Sequence, residues 1–141
     1  MMSPRRDDLA GAVRSIWSSR LGLDLRPAKL PEPDADRERR LIAVVRPNRG
    51  RGGLVLECPA PLARRAAAAL RGVDPKVLAV KDVEDAIGEL AALTGRRLWP
   101  QGGPRRPTPG RPDGRPATRR APRRTVAFSC EGHVFRVTVV G

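Results

Sequence analysis

Few residues in this chain have the type and spacing that chemistry needs, and those that do fall on one stretch, Asp82 to Gly95, DVEDAIGELAALTG. At roughly 100° per residue, Asp85, Glu89, Ala92 and Arg96 lie on one side of a helix, opposite Val83, Ile87, Leu90 and Thr94. The first set reads as a solvent-facing ridge on which Glu89 and Ala92 are neighbours. Its chemistry is that of ion pairing: two carboxylates and a guanidinium, with no nucleophile among them. The plainer expectation for Glu89 is a solvated glutamate paired with Arg96 or Lys81. Elsewhere, His133 stands alone beside a turn, with no Cys, Asp or Ser at useful spacing. No Ser/His/Asp set and no metal-ligand cluster is visible, so no cofactor is expected in this chain. Asn48 to Gly53, NRGRGG, resembles a phosphate loop but lacks the GK[ST] ending and the following helix. Its glycines serve turn geometry instead.

The elements around that helix can be read in turn. Asp82 is placed to cap it, and Gly95 with Arg96 and Arg97 to end it. Ser3-Pro4 starts an earlier helix on which Leu9, Val13, Ile16, Trp17 and Leu21 recur at helical spacing, and Gly22 stops it. Trp17 lies on the apolar stripe and reads as core. Leu23 to Leu25 alternates as a short strand would, and Pro27 to Arg39 reads as a loop. Leu41–Val45 and Leu54–Cys58 flank the glycine turn as an antiparallel hairpin. Pro59 to Leu70 is a second helix, with Leu62, Ala66, Ala69 and Leu70 on its apolar side and Gly72 as its stop. Val77, Leu78 and Val80 leave strand and packed loop equally open. Thr125–Cys130 and His133–Val140, joined by Glu131-Gly132, form a closing hairpin.

Composition sets the outer limits. One domain is the default for 141 residues, and a core with 3% aromatic residues must be built from Ala, Val, Leu and Ile. The net charge is +13, almost all of it arginine. Arginine in place of lysine, with abundant Ala, Gly and Pro, reflects a GC-rich genome as readily as a function. The excess sits largely in residues 101–125, which hold eight arginines against one aspartate. Residues 101–124 have no apolar periodicity and read as a disordered Pro/Arg-rich insertion before the closing hairpin, within a single domain spanning 1–141. Cys58 and Cys130 lie at strand ends without a CxxC and read as small buried residues. No apolar run approaches the ~20 residues of a membrane span. The expected setting is cytoplasmic and reducing.

Four stretches together, WSSRLGLDL, GGLVLECPAPLARRAAAAL, DVEDAIGELAAL and FSCEGHVFRVTVV, resemble the CheX-type chemotaxis phosphatases, single-domain relatives of CheC. The resemblance covers most of the chain outside 101–124 and is strongest in the DVEDAIGELA run. It implies an α+β fold, a mainly antiparallel sheet covered by helices. It also implies removal of the phosphoryl group from an aspartyl phosphate on a CheY-like receiver in two-component signalling. In that family a Glu-x-x-Asn motif works on the receiver: the Glu docks against a receiver lysine and the Asn positions the attacking water. Any Mg²⁺ belongs to the receiver. Carried over, the Glu is Glu89 and the Asn position is Ala92, so the partner surface would comprise Asp85, Glu89, Ala92 and Arg96. A methyl group cannot orient water, and positioning is most of what such a partner adds.

The resulting expectation is a receiver-docking domain whose phosphatase activity is weakened or lost, a pseudoenzyme. An Ala92→Asn variant should then recover part of the activity. The alternative is an active phosphatase in which another group replaces the asparagine; Asn48 and Gln101 lie outside the helix and offer no amide. A reading of another class is a basic protein that holds nucleic acid or an acidic partner through Arg105, Arg106, Arg111, Arg115, Arg119, Arg120, Arg123 and Arg124. That segment has no aromatic residue for base stacking. A homodimer through a sheet edge is a further expectation.

Overall fold

The computed structural model describes residues 5–29, 39–47, 52–99, 108–109 and 123–140. The first helix, Arg6–Ile16 (α1), is capped where Asp8 Oδ2 accepts the Arg5 N–H. It runs into a wider π-type turn, Trp17–Leu21, and Gly22 ends it at φ 65°, a left-handed conformation that favours glycine. The strand that follows is Arg26–Pro27 (β1), not Leu23–Leu25. Alternation there reports side-chain direction, with Leu23 buried and Leu25 half-buried, while the pairing partners lie one step further on.

Arg40–Val45 (β2) and Gly53–Pro59 (β3) form the expected hairpin, and Ala60–Arg71 (α2) follows directly. Gly72, at φ 69°, closes α2. The chain next makes a single 3₁₀ turn, Pro75–Val77, so Val77 and Leu78 are turn rather than strand. The central helix, Val80–Leu98 (α3), is longer than 82–95 at both ends. Asp82 acts from inside the first turn, its Oδ2 accepting the Ala79 N–H at 2.9 Å, which moves the start upstream. Gly95 is buried within the helix, and its carbonyl accepts the Trp99 N–H at 2.8 Å.

Thr108–Pro109 (β4) pairs with β2, and Arg123–Cys130 (β5) and His133–Val140 (β6) close the sheet. So the segment expected to be disordered contributes two short pieces of sheet. Pro109 is tolerated because β4 is an edge strand. The rest of 101–124 lies outside the described residues. The β5–β6 turn, Glu131 at φ 50° and Gly132 at φ 83°, has the positive angles a two-residue hairpin needs.

Among the described residues the six strands form one sheet in the order β1-β5-β6-β3-β2-β4, and every pairing is antiparallel. One face supplies Ala43, Val45, Leu54, Leu56, Cys58, Val126, Phe128, Phe135, Val137 and Val139 to a core shared with the helices. Trp17 stacks on Phe135 with ring centroids 4.4 Å apart, fixing α1 over β6. Ala63, Ala66 and Ala67 are fully buried, so α2 approaches its neighbours closely. Burying a leucine- or isoleucine-sized side chain contributes about 1.5–3 kcal/mol. Leu54, Leu62, Ile87 and Leu90 are such residues, each 1% exposed or less. The expected α+β class, a mainly antiparallel sheet covered by helices, is what the chain adopts. Cys58 and Cys130 are free and buried.

Candidate functional site

The central helix packs against β2, α1 and α2, so three of its sides are covered. Val83, Ala86, Ile87, Gly88, Leu90, Ala91, Ala92, Thr94 and Gly95 are buried, and Thr94 Oγ1 donates to the Leu90 carbonyl at 2.9 Å. Asp82 in the first turn and Asp85, Glu89 and Arg96 beyond it are exposed along one narrow stripe, with Glu84 and Arg97 exposed to its sides. Three of the four residues expected on the ridge are therefore there. Ala92 is not: it is 9% exposed and belongs to the core. The reason is angular. Three residues turn a helix about 300°, which places Ala92 roughly 60° from Glu89. On a helix covered on three sides, that is enough to leave the open stripe.

The pairing of Glu89 also differs from expectation. Its Oε2 lies 2.8 Å from Nη1 of Arg71, the last residue of α2, and the two side chains are 46% and 40% exposed. Neither Arg96 nor Lys81 is the partner. An exposed pair of this kind contributes little to stability, about 0–1 kcal/mol. Its effect is to hold the carboxylate in one place. Asp85, one turn before Glu89, adds a like charge that the Arg71 guanidinium offsets. Nothing in the linear sequence marks Arg71, because it reaches Glu89 from another helix.

Arg64, two turns earlier on α2, holds the entrance to α3. Its Nη1 donates to the carbonyls of Pro75 and Leu78, both at 2.9 Å. Asp74 Oδ1 accepts the Lys76 N–H at 2.8 Å within the same connection. Arg64 and Arg71 thus fix the start of α3 and its exposed carboxylate from one neighbouring helix.

A second polar cluster lies on the sheet. Glu57 Oε2 accepts from Arg40 Nη1 at 3.4 Å and from Arg136 Nε, and the Glu57 side chain is 12% exposed. Glu57 faces Arg136 directly across β3 and β6. The cluster ties three strands together and neutralises a half-buried carboxylate, a structural role. His133 is half-buried at the start of β6. Among the described residues no group of three or more His, Cys, Asp and Glu is placed to hold a metal ion. No described helix is long and apolar enough to cross a membrane. Of the arginines considered for nucleic acid, Arg105, Arg106, Arg111, Arg115, Arg119 and Arg120 lie outside the described residues. Arg123 and Arg124 open β5.

No protein-family model and no curated protein matches the sequence. Solved structures do match the fold. A chemotaxis protein CheX from Desulfovibrio desulfuricans has a TM-score of 0.68 at 14% identity, covering 96% of this chain and 97% of that one. CheX from Vibrio vulnificus has a TM-score of 0.68 at 16% identity, covering 98% and 99%. CheX of Borrelia burgdorferi, solved in complex with CheY, BeF3 and Mg²⁺, has a TM-score of 0.63 at 13% identity over 95% of each chain. The chain has the fold of the CheX- and CheC-like chemotaxis proteins, over nearly its whole length.

Proposed function

We propose that this protein docks the open stripe of α3 on the receiver domain of a response regulator, with phosphatase activity weakened or lost. The observation that carries the proposal is the contrast between two positions on one helix. Glu89 is exposed and held in place by Arg71. Ala92, three residues on, has no hydrogen-bonding group and is packed in the core. The fold supports the choice of partner, since a protein of the same fold has been captured on CheY with BeF3 and Mg²⁺. In this chain the stripe supplies the address: Glu89 meets a receiver lysine, and Asp85 and Arg96 flank the contact. Mg²⁺ and the aspartyl phosphate belong to the receiver. The chain offers no side chain at position 92 that can orient a water for in-line attack, and such positioning is the usual contribution of a partner in phosphoryl transfer.

The test is to titrate the protein onto a BeF3-activated CheY-type receiver and, separately, to follow phosphate loss from the phosphorylated receiver. Binding without acceleration is the expected result. Turnover well above the receiver's own rate would overturn the loss of activity, and absence of any complex would overturn the docking.

A further inference from the structure

Arg71 and Glu89 put two opposite charges, from two helices, in contact at 2.8 Å on an open surface. No other described residue pairs with either side chain. A guanidinium has five N–H donors and a carboxylate accepts on two oxygens, so each keeps capacity for a partner. The backbone beneath Arg71 is fixed. Gly72 closes α2 at φ 69° with its N–H on the Ala68 carbonyl, and the Val73 N–H bonds to the same carbonyl at 3.1 Å. Arg64 ties the connection that follows to α2 through the Pro75 and Leu78 carbonyls. With its base fixed and its tip on Glu89, the guanidinium loses little further freedom when a partner arrives.

Charge then decides which partner fits. A receiver lysine that meets Glu89 also comes close to Arg71, because both cations share one carboxylate, and like charges at that range repel. The contact becomes favourable when the partner supplies an anion beside its lysine. The aspartyl phosphate is such an anion. In a Glu-x-x-Asn motif the glutamate takes the lysine and the residue three further on acts at the phosphoryl group, so lysine and phosphoryl group lie within about one helical turn, ~5 Å. Arg71 and Glu89 then face phosphoryl group and lysine as two opposed pairs. The planar fork of a guanidinium also matches phosphoryl oxygens better than a lysine would.

We infer that Arg71 is a specificity residue of the docking surface: it contacts the receiver's phosphoryl group and penalises a receiver that lacks one. This rests on the docking role proposed above for α3. One guanidinium attracts in one state and repels in the other, so discrimination has two sources. It needs no amide at position 92, since holding an anion takes only donors, whereas hydrolysis takes an oriented water.

The full chain, Arg71→Met and Arg71→Lys are titrated onto an isotope-labelled CheY-type receiver in two states, with Mg²⁺ alone and with Mg²⁺ and BeF3, which stands in for the phosphoryl group. Binding is followed by NMR shifts of the receiver, which register weak and tight complexes alike. Arg71 is exposed and its ion pair is weak, so thermal melts of both variants should match the parent. The parent should prefer the loaded receiver. Arg71→Met should narrow that preference about tenfold, losing affinity for the loaded receiver and keeping or gaining it for the other. Arg71→Lys, which keeps the charge but not the fork, should fall between. A role limited to holding Glu89 would instead weaken both states equally. If the parent binds without preference, or the preference of Arg71→Met stays within about twofold of the parent's, this inference falls and the docking role stands. If the parent binds neither state, the docking role falls and takes this inference with it.

Discussion

Arg71 closes on Glu89 at 2.8 Å, from the last turn of one helix to the exposed stripe of another. The pair gives the stripe a fixed carboxylate without making the fold depend on it. Glu89→Ala should therefore leave the melting temperature within about 4 °C, because exposed ion pairs are worth about 1 kcal/mol at most. The same change should weaken receiver binding tenfold or more, at the scale of ~1.4 kcal/mol. Calorimetry and a thermal melt on one preparation check both. A large loss of stability would mean that the pair is structural.

Position 92, where the proposed function turns on a missing amide, is a packing position. An asparagine there inserts an amide beside Leu90, Ala91 and the rest of the core. Ala92→Asn should cost about 1–3 kcal/mol of stability from overpacking and desolvation. The partial recovery of phosphatase activity that the sequence suggests should consequently be small, under tenfold. Urea denaturation and phosphate release from a phosphorylated receiver read the two effects. Full recovery with an unchanged melt would show that the site has room for the amide.

Removing the Arg64 guanidinium leaves the Pro75 and Leu78 carbonyls without their partner. Hydrogen bonds to a charged group are worth about 1.5–3 kcal/mol net. Arg64→Met keeps much of the aliphatic stem, so it should lower stability by about that amount. Hydrogen exchange should quicken in the α2–α3 connection while the β5–β6 ladder stays protected.

Trp17→Ala deletes the ring that stacks on Phe135 at 4.4 Å and leaves a cavity between α1 and the sheet. The expected loss is about 3–5 kcal/mol, measured as a shift in the denaturation midpoint with an unchanged slope.

Burial pushes the Cys58 thiol far above its ordinary range; nearby Cys130 adds to the rise and Arg40 opposes it. The unfolded chain therefore gives up the Cys58 proton first as pH rises. The stability linked to this group is fully present below about pH 8.5 and declines above it, by up to about 1.4 kcal/mol per pH unit. Cys58→Ala should flatten that decline between about pH 8.5 and pH 10 in denaturation curves. An equally steep decline in the variant would assign the effect to other groups.

Much of this architecture is legible in the linear chain, and for clear reasons. Apolar β-branched runs and alternation locate the four long strands because each has one face in the core, and Gly22, Gly72 and Gly132 mark ends that need a left-handed angle. The central helix is legible as a helix, but its limits are not. Asp82 caps from within the first turn, and Gly95 stays helical where its neighbours bury it. The burial of Ala92 escapes because an amphipathic pattern assumes one buried side, and α3 has three. Arg71 with Glu89, Arg64 with the two carbonyls, and Glu57 with its two arginines all depend on elements brought together only by the fold. Thr108 and Pro109 carry no strand pattern of their own and pair through the edge that β2 offers.

The enclosure of α3 on three sides sets unequal freedom along a single helix. Asp85, Glu89 and Arg96 are exposed and can be exchanged with little effect on the folded state. Ala92 is bound to the interior, and an amide placed at that position would weaken the protein. The exposed stripe can therefore vary almost independently of the fold, while position 92 can change only together with the packing around it.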